Sequence, residues 1–181
     1  VSDEVMKALA KILSMGKCTN YACQYGAGIP TIARSANVDM ETAERLYKGY
    51  WRLNWSVKRI AEECVTKTFG KYKWLYNPVN GFWYYLKKDK DRFSTLCQGT
   101  GTYVFDRWLD IINDICLERY KREMPLMGQW HDEGLWRTKL QKREIWQRII
   151  TTANERLNNI LNMNREFASE PEFGPNYADV H

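Results

Sequence analysis

An Asn-Gly pair between two aromatic-rich runs constrains the fold of this chain more than any other feature. The runs cover residues 72–76 and 82–86, and Asn80-Gly81 lies in the segment that joins them. Asn and Gly tolerate the positive φ angles that tight hairpin turns require. The pattern therefore predicts an antiparallel hairpin around residues 77–81.

A second extended pair is predicted nearer the C-terminus. It begins after Pro125 and pairs residues 126–130 with residues 134–138, with His131-Asp132-Glu133 at the turn. The two runs are short and are separated by polar residues, which is typical of a hairpin.

Helical periodicity fills most of the remaining chain. The first predicted helix covers residues 3–25, with Ser2 or Asp3 as its cap and with Gly26 and Gly28 closing its end, and a short helix follows at about residues 30–35. A third helix is predicted over residues 40–68, with Asp39 as its cap and Gly70 at its end. The last two cover residues 93–122, interrupted by Gly99 and Gly101, and residues 139–163. The tail from residue 170 to 181 contains Pro and Gly and is predicted to lie on the surface. Long helices with two hairpins predict an α+β fold.

The charge balance is mildly basic. Lys plus Arg number 27 against 22 Asp plus Glu, and the sequence pI is about 8.9. This excess suits a partner that carries phosphates, although many ordinary proteins are as basic.

Membrane and secreted classes are disfavoured. No apolar run approaches the roughly 20 residues of a membrane span, and residues 1–4 lack the features of a signal peptide. Five cysteines, an odd number without a CxxC pair, predict free buried thiols in a reducing compartment, so we expect a cytoplasmic protein with no membrane partner. A chain that starts at Val1 and runs straight into a helix is typical of a fragment, a cleaved product or a split-gene subunit.

The first candidate site is a stripe on the predicted first helix. Lys17, Tyr21 and Tyr25 are spaced by four residues and share one helical face, and Gly26 follows. A cation beside two rings could hold a triphosphate and stack on a base. The alternative is that Tyr21 and Tyr25 pack into the core while Lys17 reaches solvent.

The second candidate is the acidic turn. Asp132 and Glu133 present carboxylate oxygens, which Mg²⁺ prefers, especially where substrate phosphates complete its coordination. The alternative is a solvated acidic turn with His131 bonded to the backbone. A zinc site is disfavoured because the only other histidine is His181.

The third candidate is Gln98, which stands among small residues in the segment 96–101. Its amide could read minor-groove acceptors, which differ little among base pairs. The alternative is a notch where another part of the chain packs against the helix.

Basic and aromatic residues also alternate in several places, a mixture that suits phosphate neutralisation and base stacking. The basic members lie at residues 67, 71 and 73 beside Trp74, at 87, 88, 90 and 92, and at 137, 139, 142 and 143. Solvated helix faces and hairpin edges are an equal alternative.

The order of these motifs resembles that of family A (DNA polymerase I-type) DNA polymerases, most closely the phage members. Their fingers helix ends in Lys-x-x-x-Tyr/Phe-x-x-x-Tyr-Gly, a later helix carries Gln-Gly-Thr or Gln-Ser-Ala, and a His-Asp-Glu hairpin follows. The matching segments here are residues 17–26, 98–100 and 131–133, and Tyr25-Gly26-Ala27-Gly28 and the ending at 174–178 also look phage-like. The similarity spans nearly the whole chain.

The resemblance implies a role for each matching residue. Lys17 would contact the incoming triphosphate, Tyr21 its sugar and base, and Tyr25 the templating base. Gln98, His131, Arg92 and Tyr25 would contact primer–template DNA. Asp132 would be one of two metal-bridging aspartates and Glu133 a supporting acid, in a two-Mg²⁺ transfer of dNTPs to a primer.

The resemblance also implies a domain layout and a partner. Residues 1–69 would be a fingers portion and residues 70–181 the C-terminal part of the palm. The first metal-binding motif of the family lies upstream, so activity would need an N-terminal polymerase polypeptide that carries it. Leu13 stands where an Arg is usual, neither Lys7 nor Lys11 shares the face of Lys17, and Ser94 replaces a usual Asn.

Two other classes remain open at this stage. A polymerase-derived module that binds primer–template DNA without chemistry would explain the missing motif and Leu13. A structural or interaction protein rich in aromatics would leave the ordered motifs to chance.

Overall fold

The computed structural model describes residues 2–162 and 164–180 and confirms an α+β architecture. The elements are α1 (Asp3–Gln24), α2 (Ile29–Ala36), α3 (Met40–Leu53), α4 (Trp55–Glu63), β1 (Thr66–Phe69), β2 (Tyr72–Tyr76), β3 (Trp83–Tyr85), α5 (Arg92–Tyr120), β4 (Leu126–Trp130), β5 (Glu133–Trp136) and α6 (Arg143–Leu161). Val1, the predicted last helical residue Met163, and His181 lie outside the described residues.

The chain divides into two compact units, Val1–Thr100 and Gly101–His181. The boundary falls inside α5, which runs through Gly99 and Gly101 without the predicted interruption. The division into fingers and palm after residue 69 concerns function and stays a prediction. Within residues 2–162 and 164–180, every helix is too short or too polar to cross a membrane.

The first unit begins with helices whose starts follow their caps. Ser2 Oγ accepts a hydrogen bond from the Val5 N–H at 3.5 Å, and Asp39 accepts one from the Thr42 N–H at 2.8 Å. These side chains satisfy backbone donors that have no partner within the helix. Helices α1, α2 and α3 then enclose a small core of Cys23, Ile32 and Ala43.

The prediction of one helix over residues 40–68 is wrong. The helix breaks at Asn54, whose φ and ψ angles of −108° and 35° depart from helical values. Its backbone N–H and its side-chain amide both donate to the Tyr50 carbonyl, at 2.8 and 3.0 Å, and cap the end of α3. After α4 the backbone becomes extended at Cys64, and residues 66–69 form strand β1. Their β-branched threonines favour a strand, and pairing with β2 outweighs the helical pattern.

The predicted hairpin over residues 72–86 is confirmed and belongs to a three-stranded antiparallel sheet in the order β1-β2-β3. Leu75 pairs with Tyr84, and Trp74 pairs with Tyr85. Because side chains alternate along a strand, these two pairs lie on opposite faces. Leu75 is fully buried and Tyr84 reaches α5, so this face is the inner one.

Asn77, which follows β2, connects the hairpin to α5. Its side-chain nitrogen donates to Thr100 Oγ1 at 3.0 Å and to the Leu96 carbonyl at 3.4 Å. Its side-chain oxygen accepts from the Val79 N–H at 3.0 Å, and its backbone bonds to Phe82 and Gly81. The residue is fully buried, and each of its polar groups has a partner.

Gly99 lets the hairpin approach the helix closely. A Cβ at this position would lie 2.6 Å from the Tyr84 ring. The Tyr84 hydroxyl donates to the Gly99 carbonyl at 3.4 Å and accepts from Asn80 at 2.8 Å. Gly99 therefore forms the packing notch that the sequence offered as an alternative to a base-reading role.

The second unit is built on α5 and α6. Its core is formed by apolar residues at helical spacing on both helices, namely Val104, Phe105, Trp108, Leu109, Ile111, Ile112, Ile115, Cys116, Trp146, Ile149, Ile150, Ala153 and Leu157. Trp108 donates from its indole nitrogen to Asn154 at 2.8 Å, and Trp136 of β5 packs edge-on against Trp108. Asn158 holds the tail through two hydrogen bonds to the Phe167 backbone.

The second hairpin is confirmed, with a small shift in its turn. Strands β4 and β5 pair antiparallel, and Trp130 lies opposite Glu133. The turn consists of His131 and Asp132, whereas Glu133 already belongs to β5. Beyond the hairpin, α6 begins at Arg143, after the 3-10 helix Leu140–Lys142.

We predict that Gly99→Ala lowers the free energy of unfolding by about 1–3 kcal/mol, because the new methyl group meets the Tyr84 ring. The matched control is Gly101→Ala in the same helix, where an added Cβ would meet no described atom within 4 Å beyond the neighbouring backbone. That control should be neutral or stabilising by up to about 1 kcal/mol. Urea denaturation followed by circular dichroism measures the free energy of unfolding of both variants. Equal effects of the two substitutions would contradict the close packing of Gly99 on Tyr84.

Candidate nucleotide and metal sites

The predicted stripe lies on the solvent-exposed side of α1. Lys17 is exposed, and Tyr21 and Tyr25 are 61% and 49% exposed. These values exclude the alternative in which both rings pack into the core. One cation and two accessible rings therefore share a helical face, the arrangement that a triphosphate and a base would use.

The opposite side of α1 explains why the stripe faces outward. Thr19 and Cys23 are buried, and Cys23 packs with α2 and α3. Burial raises the pKa of the Cys23 thiol to about 11. This thiol stays protonated at neutral pH and serves packing, because the thiolate is the nucleophilic form.

Tyr25 and Gln98 are brought together although 73 positions separate them. Gln98 donates from its side-chain nitrogen to the Tyr25 hydroxyl at 2.8 Å. Both residues are largely accessible, so this bond lies at the surface of the first unit. Two separate sequence motifs thus contribute to one local surface.

The glycine after Tyr25 fixes the end of α1. Gly26 has a φ angle of +65°, and a Cβ there would lie 3.1 Å from the Lys90 carbonyl oxygen. A side chain at this position would therefore be both strained and crowded. The residue lets the end of the stripe approach the segment Asp89–Asp91.

The three residues Gln98, Gly99 and Thr100 make three different contacts. Gln98 bonds to Tyr25, Gly99 packs on Tyr84, and Thr100 accepts from Asn77. The motif therefore combines packing positions with one accessible amide.

Arg92, predicted to contact DNA, is engaged in an ion pair. Its guanidinium donates two hydrogen bonds to Asp89 Oδ1, at 2.6 and 3.0 Å, and Lys73 contacts the same carboxylate. Hydrogen bonds from Lys73 and Arg92 hold the pKa of Asp89 below its usual range. Part of the local positive charge is thus neutralised within the protein, and the DNA contact of Arg92 stays a prediction.

In the second unit, the acidic turn presents its groups at the tip of a hairpin. His131 has a φ angle of +51°, in the left-handed region that is uncommon for residues other than glycine. Asp132 is exposed and Glu133 is partly buried at the start of β5. The turn therefore delivers one accessible carboxylate with a second next to it in sequence.

These two carboxylates fit part of an Mg²⁺ site. The ion is commonly held by one or two protein carboxylates, with water and substrate phosphates as further ligands. Among the residues that the structure describes, no group of three His, Cys, Asp or Glu is arranged to hold a metal. The hairpin supplies hard oxygen donors but not a complete protein cage.

The hairpin borders a cleft of about 1060 Å³ within the second unit. Its walls include Asp132, Glu133 and Trp136, and the tail residues 167–177. Tyr177, in the C-terminal segment 174–178, packs near Trp130, with ring centroids 6.0 Å apart. The last sequence motif therefore lies beside the acidic hairpin.

The sequence did not reveal some of the residues that support these surfaces. Asn77 and Tyr84 hold the Gln98 segment, yet only the hairpin signal pointed to their neighbourhood. Gln129 of β4 donates to Asp106 of α5 at 3.2 Å, and no sequence pattern connected these two positions. Such contacts join elements that are distant in sequence, and no local sequence pattern predicts that these elements pack together.

We predict a coupling of about 0.5–1.5 kcal/mol between Tyr25 and Gln98, the usual net value of a protein hydrogen bond. A double-mutant cycle of Tyr25→Phe and Gln98→Ala, read by chemical denaturation, measures it. Tyr21→Phe, which changes an exposed ring on the same helix, serves as the control partner for Gln98→Ala. If the coupling energy of Tyr25 with Gln98 equals that of Tyr21 with Gln98, the hydrogen bond contributes nothing to stability.

Comparison of the chain with protein-family models and with curated protein sequences found no match.

Proposed function

We propose that the chain is the C-terminal part of the polymerase domain of a family A, phage-like DNA polymerase. Its fold would then be a right-hand fragment, with helical fingers at residues 1–69 and part of the palm at residues 70–181. It would take part in template-directed transfer of nucleotides from dNTPs to a primer 3′-hydroxyl. The observation that carries this proposal is the accessible stripe of Lys17, Tyr21 and Tyr25, because these side chains combine charge and stacking on one face.

Lys17 would bind the triphosphate and neutralise charge on the leaving pyrophosphate. A preorganised cation stabilises charge where it develops in the transition state. The side chain is exposed on α1, so a ligand can reach it. Tyr21, one turn along the helix, would line the sugar and base.

Tyr25 and Gln98 would meet the primer–template. Tyr25 would stack near the templating base and rearrange on fingers closure. Its bond to Gln98 would then open, which would leave the Gln98 amide available to the minor groove. Arg92 and His131 would add contacts to the DNA backbone and the primer strand.

Asp132 and Glu133 would hold Mg²⁺ together with the aspartate of the upstream motif. Mg²⁺, when bound, would polarise the α-phosphate and lower the pKa of the primer hydroxyl. The exposed position of Asp132 leaves its carboxylate accessible to a second polypeptide and to phosphates. An N-terminal polymerase polypeptide is therefore part of the proposal.

A DNA-binding module without catalysis is the second candidate. Leu13 favours it, because this apolar side chain is 60% exposed at the position where the family usually has Arg. Such a module would bind primer–template but would not need Asp132.

We predict no primer extension by the 181-residue chain alone, and extension when the upstream polypeptide is added with Mg²⁺ and four dNTPs. Asp132→Ala should abolish this activity, since one metal-bridging carboxylate is lost. The matched control is Asp110→Ala, which removes an exposed acid from α5 and should keep full activity. Primer extension by the 181-residue chain alone, in a preparation free of contaminating polymerase, would refute the need for a partner. DNA binding without primer extension in any mixture would favour the DNA-binding module.

We predict that Tyr21→Phe in the reconstituted enzyme strengthens discrimination against dideoxynucleotides. The family resemblance implies that Tyr at this position accepts substrates lacking a 3′-hydroxyl, and the exposed ring of Tyr21 can reach a bound nucleotide. The ratio of kcat/KM for a dNTP and its dideoxy counterpart measures the effect. An unchanged ratio would remove Tyr21 from the sugar-binding role.

A further inference from the structure

The outer face of the sheet β1-β2-β3 carries a continuous group of aromatic residues. The register places Lys67, Trp74 and Tyr85 side by side across the three strands. Phe69 lies opposite Tyr72, and Tyr76 lies opposite Trp83. Since Leu75 and Tyr84 occupy the inner face, the alternating pleat puts these seven side chains on the outer one. We call this surface the aromatic face.

Several of these rings are accessible to a ligand. Phe69, Tyr85 and Tyr72 are 79%, 52% and 45% exposed. Tyr85 is held by edge contacts, with its ring centroid 5.8 Å from that of Tyr72 and 5.9 Å from that of Trp74. Aromatic residues gathered and exposed in this way mark an interaction surface rather than scattered apolar residues.

The charged residues of the sheet and its turns are lysines, one of which, Lys73, contacts Asp89 just beyond them. Residues 64–88 contain five lysines and neither Asp nor Glu. Lys67 Nζ lies 3.8 Å from the centroid of the Trp83 ring, and Lys71 Nζ lies 5.5 Å from that of Tyr72. Cations and rings are therefore mixed on one surface, and the complementary ligand is a polyanion with flat apolar groups.

We propose that the aromatic face binds single-stranded nucleic acid without sequence preference. Unpaired bases stack on the exposed rings of Phe69, Tyr72 and Tyr85, and Lys67 and Lys71 neutralise the adjacent phosphates. Stacking of bases on the aromatic residues of a sheet is an established mode of single-strand recognition. A duplex hides its base faces, and a neutral sugar polymer would not need the lysines.

This site shares no residue with the stripe on α1 or with the acidic hairpin. It needs neither dNTPs nor Mg²⁺, so it is testable without polymerase activity. Failure of primer extension would leave it intact, and failure of single-strand binding would leave the polymerase proposal intact.

The test is fluorescence anisotropy of labelled oligo(dT) of about 12 nucleotides with the 181-residue chain, without Mg²⁺ or dNTPs. Phe69→Ala and Tyr85→Ala should each weaken binding about tenfold, the effect of losing one stacked base. Phe69 is almost fully exposed, so its removal leaves the fold intact even where loss of Tyr85 does not. The control is Trp55→Ala, an exposed aromatic residue on α4, which should bind as the wild type does.

The charge contribution has its own measurement. The double variant Lys67→Gln, Lys71→Gln should reduce the slope of log K against log[salt] by about 1.4, since each phosphate contact to a single strand contributes about 0.7. Lys58→Gln on α4 should leave the slope unchanged, because its side chain lies outside the aromatic face.

Three results would overturn the proposal. The first is that the wild-type chain does not bind oligo(dT) at low salt. The second is that Phe69→Ala weakens binding of oligo(dT) and of blunt duplex DNA equally. The third is a set of face variants that bind oligo(dT) normally but no longer associate with the upstream polypeptide. That last result would make the face a protein interface.

Discussion

The arrangement of the first unit depends on one buried amide, that of Asn77. It has no accessible surface, and its side chain bonds to Thr100, to the Leu96 carbonyl and to the Val79 N–H. An unpaired amide in the protein interior costs about 1–3 kcal/mol, so losing these partners would be strongly destabilising. They fix the end of β2 against α5, and they fix which face of the sheet points inward.

The accessible surfaces follow from that orientation. Leu75 is buried and Tyr84 of the same face bonds to Gly99 of α5, so the aromatic face points away from that helix. A one-residue slip of β2 would exchange the two faces and would expose Leu75. Asn77 opposes such a slip, because a shift of β2 would move its amide away from Thr100 and the Leu96 carbonyl on α5. The exposure of the outer rings is thus a consequence of inner packing.

Elements with local signals were predictable, and elements set by pairing were not. Ser2 and Asp39 mark helix starts because their side chains accept hydrogen bonds from nearby backbone N–H groups. The Asn-Gly pair marks a hairpin because Gly81 adopts a φ angle of +75° and the Asn80 side chain accepts from the Phe82 N–H. Strand β1 was not predicted, because it is stabilised by pairing with β2 and follows a helical sequence pattern that Asn54 interrupts. For the candidate sites, helical spacing predicted the shared face of Lys17, Tyr21 and Tyr25. The bond between Tyr25 and Gln98 had no signal in the intervening chain.

In the segment Gln98 to Thr100, a packing role and an accessible amide do not exclude each other. Consecutive side chains on a helix point about 100° apart, so neighbours in sequence face different surroundings. Gly99 can meet Tyr84 and Thr100 can meet Asn77 while Gln98 stays accessible. Close packing on one side then restrains the backbone that carries the amide on the other. Packing contacts at Gly99 and Thr100 are therefore compatible with an accessible amide at Gln98, because each requirement falls on a different residue.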